Sequence, residues 1–187
     1  MSSARIERVI TRVAYQIFED TRGSGELLIF GIDERGYRLA NLLASRLSSI
    51  YQTPISAHQI RIKTADKESG PDLRQGEKRP SSGDDDPVSD NQADRPEVSG
   101  KNVVIIDDVM YSGKTMYKAL QEVTTPVHPE EVKLAALIDR GHRRYPLNVQ
   151  YLGLHSPTKL QEHVHCSFTE SGNPEGVWLI SSPGGES

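Results

Sequence analysis

Cysteine is almost missing from this chain: Cys166 stands alone among 187 residues, so neither an internal disulfide nor a thiolate zinc cage can form. A reducing, cytoplasmic setting is the resulting expectation. Long apolar runs are missing too. None approaches the roughly 20 residues that span a bilayer, and the first residues hold no hydrophobic leader, which predicts a soluble protein with no membrane partner. There is no excess of positive charge either. Lys and Arg number 22 against 26 Asp and Glu, and a net charge of -4 excludes a surface built throughout to hold nucleic acid, while leaving room for a local basic patch. Hydrophobic residues make up 35%, enough for one well-packed core only if part of the chain stays outside it.

The part that stays outside is visible in the composition. From Ala65 to about Ser99 there is no aromatic residue and hardly a large aliphatic one, but many Asp, Glu, Lys, Pro, Gly and Ser. Such a stretch cannot bury enough surface to offset the entropy of ordering, so a single domain over 1–187 is expected to carry 65–99 as a disordered or lid-like insertion.

On either side of it the pattern is regular. Ile6, Val9, Ile10, Val13 and Ile17 recur at helical spacing, and the helix should end before Gly23. Leu27 to Ile32 is a continuous apolar run, as in a strand covered on both faces. A loop, Gly31-Ile32-Asp33-Glu34-Arg35-Gly36, precedes a second helix marked by Leu39, Leu42, Leu43, Leu47 and Ile50. Ile55 to Lys63 alternates weakly as a strand. Val103 to Ile106 reads as a buried strand, and Met116, Ala119, Leu120 and Val123 line a helix that stops near Pro126. Val132 to Ile138 and Val149 to Leu152 follow as strands, and His163 to Phe168 and Val177 to Ile180 close the chain. Strands alternating with helices, then strands alone, describe an α/β fold: a parallel β-sheet flanked by helices, with a small C-terminal β hood.

The chemistry concentrates in "VVIIDDVMYSGKT", Val103 to Thr115. In open parallel sheets ligands bind beyond the carboxyl ends of strands, where Asp107 and Asp108 fall. Strand alternation turns their side chains to opposite faces, one toward ligand and the other toward the loop or a water-bridged metal. Adjacent carboxylates accept hydrogen bonds from vicinal hydroxyls, as on a ribose, and attract Mg²⁺. Gly113 then lets backbone come close to a phosphate, Ser112 and Thr115 donate hydroxyls, and the first N–H groups of the next helix converge on the anion. A nucleoside-triphosphate loop would need glycine five positions before Gly113, where Asp108 stands. Helix capping does not account for the acids either, since they come several residues early and one would suffice.

The stretch resembles the phosphoribosyl pyrophosphate signature of type I phosphoribosyltransferases. Its Tyr-Ser-Gly-Lys-Thr ending is similar to the branch that joins pyrimidine operon attenuation to uracil phosphoribosyl transfer. Further blocks of that branch follow in order: Ile10 to Ile17, Gly31 to Leu47, Leu137 to Leu147 and Gly153 to Thr158. The resemblance implies the type I phosphoribosyltransferase fold and transfer of phosphoribosyl from phosphoribosyl pyrophosphate to uracil, giving UMP and pyrophosphate, with Mg²⁺ on the leaving group. It implies that Asp107 and Asp108 hold the ribose hydroxyls and Mg²⁺, that Tyr111, Ser112, Gly113, Lys114 and Thr115 hold the 5-phosphate, and that Arg35 and Gly36 belong to the pyrophosphate loop. Asp139 and Arg140 would lie near the base pocket, beneath the hood. A homo-oligomer, dimer or tetramer, is implied as well.

Two departures carry consequences. The family's pyrophosphate loop has Lys and Thr where this chain has Asp33 and Glu34, acids expected to repel a polyanion by on the order of 1 kcal/mol each. Of the family's mobile loop, Asp72 to Arg74 remain. These departures support an alternative: a nucleotide-sensing regulator of pyrimidine metabolism with weak turnover, RNA-binding or not. For RNA the branch pattern retains Thr11, Arg12, His142 and Arg143, but Tyr15, Glu34 and Leu154 replace a His, a Thr and a Lys. Losing a cation and gaining an anion should cost about one to two phosphate contacts. His163 and His165 share a strand face with no third metal ligand in view. Cys166 is expected to be packed, and Trp178 to serve core or interface.

Overall fold

The computed structural model describes residues 1–62, 96–158, 162–169 and 174–181. Of the expected insertion, residues 65–95 lie outside the described residues. The main unit comprises Met1–Ile62 and Val98–Ser187, and every element below belongs to it. Val98, inside the expected insertion, is itself buried with the Met116, Ala119 and Val123 cluster, and the Lys101 N–H closes a turn on its carbonyl, so packing resumes before the composition suggested.

The element order is α1 Ser3–Thr21, β1 Leu27–Ile32, α2 Asp33–Tyr51, β2 Ala57–Ile60, β3 Asn102–Met110, α3 Lys114–Thr124, β4 Glu131–Asp139, β5 Tyr151–His155, β6 Glu162–Phe168 and β7 Pro174–Ser181. Five strands form a parallel sheet in the order β2-β1-β3-β4-β5, and β6 and β7 form a separate antiparallel pair. The expected architecture of parallel sheet, flanking helices and C-terminal strand pair is the observed one.

Connection direction decides where the helices lie. From β1 the chain steps one way to β2 through α2; from β3 it steps the other way to β4 through α3. Right-handed crossovers in opposite directions put their helices on opposite faces. Accordingly α1 and α2 bury Ile6, Ile10, Ile17, Leu39, Leu43 and Leu47 against one face, while α3 buries Met116, Ala119 and Val123 against the other. The reversal falls between β1 and β3, which is where an open parallel sheet leaves a crevice. Cys166 and Val177 of the hood join the α1–α2 core. Met1 reinforces this attachment: its amine and carbonyl both hydrogen-bond Val177 of β7, and Ser2 bridges to Gly176.

Two boundaries differ from the sequence expectation. No loop separates β1 from α2, because the helix starts at Asp33, so Arg35 and Gly36 sit in its first turn. The turn is tight enough that a Cβ on Gly31 would lie 2.3 Å from the Tyr37 Cα and 2.4 Å from the Gly36 carbonyl oxygen. A Cβ on Gly36 would lie 2.7 Å from the Ile106 carbonyl oxygen of β3. Second, β3 runs on through both acids to Met110. Of the two roles expected for Trp178, core or interface, its 49% exposure, with the ring across Gly176, leaves the interface.

Replacing Gly31 by Ala forces backbone apart at the strand-to-helix turn. It is expected to cost about 3 kcal/mol, an overpacking penalty that only backbone movement can relieve. Urea unfolding of the variant should show a correspondingly lower midpoint.

Candidate active site

The candidate site arises from unequal strand lengths. β1 pairs with β3 only as far as Gly31 opposite Ile106, then turns into α2, while β3 continues beside β4 with Asp107 opposite Ala136 and Met110 opposite Asp139. From Asp107 onward β3 therefore has a neighbouring strand on one side only. The vacated side is a cleft of about 410 Å³ lined by Ile32, Asp33, Glu34, Arg35, Asp107, Asp108, Val109 and Thr115.

Asp107 and Asp108 both line this cleft, so the separation to opposite faces that strict alternation predicted is not what forms. Asp107 folds back, its Oδ1 accepting the Asp108 N–H at 2.9 Å. Asp108 is 8% exposed, and its Oδ2 is buried without a hydrogen-bond donor. Removal from water, and then the charge of Asp108 beside it, push the Asp107 carboxyl well above the usual carboxylate range. Two carboxylates held this way favour a bound cation or hydroxyl donors over their own ionisation in an empty cleft.

The two unexpected acids are largely occupied. Asp33 has φ of 50°, a left-handed conformation that Asp tolerates better than most residues, and its Oδ1 accepts the Ile62 N–H at 3.0 Å. Glu34 pairs with Arg38 one helical turn on, at 2.5 Å. Both also complement the positive end of α2. The cost foreseen for them is reduced by these partners, although Asp33 still adds to the field that raises Asp107.

Ser112 to Thr115 lead into α3, whose N-cap is Gly113 at φ of 83° with no side-chain cap. The Lys114 N–H reaches Ser112 Oγ at 3.3 Å, and the Ser112 carbonyl is fixed by the Arg144 and Tyr145 N–H groups. Thr115 lines the cleft. Tyr111 does not: its ring lies under the Arg140 guanidinium at 4.3 Å and beside His142 at 5.2 Å.

Asp139 and Arg140, expected at a base pocket, are buried and do not line the cleft. Burial alone would raise the Asp139 carboxyl, but the Gly141 N–H at 2.9 Å and the Arg143 guanidinium at 2.6 Å outweigh it and hold the carboxyl below the usual range. Arg140 donates to Thr158 Oγ1 at 2.8 Å and to the Glu162 carbonyl, tying the end of β4 to the hood. Their side chains thus brace the floor beneath β6.

The RNA candidates are divided between two places. Thr11 and Arg12 lie on α1, where Thr11 Oγ1 bonds the Glu7 carbonyl and Arg12 bonds the Leu152 and Gly153 carbonyls of β5. His142 bonds the Thr158 carbonyl, and Arg143 bonds Asp139 and the Leu147 carbonyl beyond β4. His163 and His165 are on β6; among the described residues no group of three His, Cys, Asp or Glu side chains could hold a metal ion. Sequence reasoning missed Arg38, whose only signal was its spacing four residues after Glu34.

A cleft at the switch point of a parallel sheet, with paired acids on one strand and an uncapped helix on the next connection, lies where such sheets bind ligands, and the architecture is that of a phosphoribosyltransferase fold. The chain belongs to that family: the model for the phosphoribosyl transferase domain matches residues 2–165. Among curated proteins it is similar to the bifunctional protein PyrR of Latilactobacillus sakei, 30% identical over 96% of this chain and 95% of the relative. It is similar also to the bifunctional protein PyrR of Halalkalibacterium halodurans, 33% identical over 88% of this chain and 87% of that one. Among solved structures, the hypoxanthine phosphoribosyltransferase of Trypanosoma cruzi shares the fold with a TM-score of 0.63, at 18% identity, covering 84% of this chain and 80% of that one. No helix among the described residues is long and apolar enough to cross a membrane.

The raised Asp107 carboxyl has a stability consequence. The folded protein holds this proton more tightly than the unfolded chain does. Its contribution is therefore present below the ordinary carboxylate range and is lost as pH rises through the raised folded value. Asp107→Asn should raise the Tm of the ligand-free protein by a few degrees at neutral pH and leave it unchanged near pH 3, as thermal scans at the two pH values will show.

Proposed function

We propose that this protein transfers the 5-phosphoribosyl group of phosphoribosyl pyrophosphate to uracil, giving UMP and pyrophosphate. The observation that carries the reading is the buried, unpartnered Asp108 Oδ2 beside Asp107, at the one place where β3 is open on a side. A buried acceptor left without a donor costs free energy unless a ligand supplies one. Ribose hydroxyls or a cation do so. In this reading Asp107 and Asp108 take the 2- and 3-hydroxyls, while Thr115, Ser112 and the first turn of α3 take the 5-phosphate.

Mg²⁺ fits the same pair. It needs only one or two carboxylates, with substrate oxygens and water completing its shell, and one carboxylate here has an unpartnered oxygen while the other is costly as an isolated anion. When bound it would neutralise charge on the departing pyrophosphate. The C1–oxygen bond to pyrophosphate breaks, the C1–N1 bond to the base forms, and the N1 proton is released. With no strong nucleophile lining the cleft among the described residues, the chain contributes positioning and exclusion of water. The Tyr111–Arg140–Thr158 assembly would hold the hood over the base.

A second reading is favoured by Asp33 and Glu34, which give the cleft two more acids than a donor of pyrophosphate welcomes. In it the fold binds UMP and reports on pyrimidine supply with slow turnover. RNA enters that reading through Thr11, Arg12, His142 and Arg143. The relatives named bifunctional support both readings.

Incubating the protein with phosphoribosyl pyrophosphate, Mg²⁺ and labelled uracil, orotate, hypoxanthine or guanine should yield UMP from uracil. Asp108→Asn should lower the rate by about 100-fold or more, the scale of a lost electrostatic contact in a closed site. UMP binding with turnover near background selects the regulator instead, and tight binding of a pyrimidine-operon leader RNA adds the attenuator role.

A further inference from the structure

The connection from β4 to β5 leans on the Tyr111 to Thr115 stretch from outside the cleft. The Ser112 carbonyl accepts the Arg144 N–H at 2.9 Å and the Tyr145 N–H at 3.2 Å. A Cβ on Gly113 would lie 3.4 Å from the Tyr145 Cβ and 3.6 Å from Leu147 Cδ1, so these side chains bound Gly113 as well. The Tyr145 ring then stacks on that of Tyr117, with centroids 5.1 Å apart and planes 27° from parallel. Tyr117 is on α3, and its N–H donates to the Gly113 carbonyl at 2.9 Å. One aromatic pair therefore holds Ser112 and Gly113 from two directions, from the connection through Tyr145 and from the helix through Tyr117.

Core packing does not account for this pair. Tyr117 is 37% exposed, and neither ring belongs to either hydrophobic core or lines the cleft. What two stacked rings supply there is a fixed mutual geometry between the segments that carry them. The stretch between them has little stiffness of its own. Gly113 has φ of 83° and caps α3 with no side chain, and the N–H groups of Gly113, Thr115 and Met116 bond no described residue. Such N–H groups receive an anion only where they converge, and a glycine turn leaves that convergence to its surroundings. Tyr145 is presented by a connection that is itself tied down: the Arg140 N–H bonds the Met110 carbonyl at 2.9 Å, and Arg143 bonds both Asp139 and the Leu147 carbonyl.

We propose that Tyr145 is a positioning residue for the 5-phosphate. Stacked on Tyr117, it holds Ser112 and Gly113 in the shape in which the N–H groups at the start of α3 meet the anion, and it does so without touching the ligand. This rests on the phosphoribosyltransferase reading above. Tyr117 is the other half of the same device, so removing either ring removes the effect of both.

Calorimetric titration of the full chain with UMP and with ribose 5-phosphate tests the assignment. Tyr145→Ala should weaken both ligands by about fivefold, the worth of one stacked aromatic pair, because both present the same phosphate. Tyr145→Phe keeps the ring and should restore the affinity. Tyr117→Ala, at an exposed helix position that alanine suits, should reproduce the loss and keeps the test open if Tyr145→Ala does not fold. The double variant should lose no more than either single one, a coupling that two separate structural roles would not produce. Unchanged UMP affinity in Tyr145→Ala or Tyr117→Ala, failure of Tyr145→Phe to restore it, or losses that add in the double variant overturn the proposal. Binding or loss seen with UMP and not shared by ribose 5-phosphate overturns it too, by placing the effect at the base. A wild-type protein that binds both ligands, with variants that bind them equally well, removes the role of Tyr145 alone, whereas one that binds neither removes the phosphoribosyltransferase reading with it.

Discussion

The site depends on β1 stopping before β3 does. Gly31 and Gly36 let the chain pass from strand to helix without a loop, so α2 begins where β1 would otherwise have continued to cover β3. The overrun leaves Asp107 and Asp108 with a neighbouring strand on one side and open space on the other. Because the crossovers through α2 and α3 leave on opposite faces, nothing from either helix body refills that space. A longer β1 would pair the edge and close the cleft.

The same arrangement places function against stability. A buried carboxylate oxygen that lacks a donor, as Asp108 Oδ2 does, makes the protein less stable than a neutral side chain would. The other acids near it have partners. Asp33 accepts from Ile62, Glu34 pairs with Arg38, and Asp139 is held by Gly141 and Arg143. Among the described residues, the one buried side-chain oxygen or nitrogen without a hydrogen-bond partner is Asp108 Oδ2. The family match and the fold neighbour agree with the architecture.

The hood is fastened from several directions. Cys166 and Val177 enter the α1–α2 core, Met1 binds Val177, Arg38 reaches Thr169, and Arg140 reaches Glu162. Burial first, and then the negative charge of Asp108, push the Cys166 thiol up, which makes it a packed group and not a reactive one. Arg35 borders both the acidic cleft and a basic pocket beneath β6.

By itself the sequence determined the parallel α/β sheet, because runs such as Leu27 to Ile32 and Val103 to Ile106 are buried on both faces whatever their neighbours. It also pointed to a phosphate-type ligand, because acids, glycine and hydroxyls in one short stretch restrict what can bind. It did not reveal that Asp107 and Asp108 share one cleft, since that follows from where a different strand ends. Nor could it show that Asp33 and Glu34 are engaged by Ile62 and Arg38, or that Asp139 and Arg140 brace the floor instead of lining the cleft. Arg35 and His165 are 130 positions apart in sequence, and only the docking of β6 over α2 brings them to one pocket. Local pattern reports a residue's own burial and spacing, whereas the charge it faces is set by elements distant in the chain.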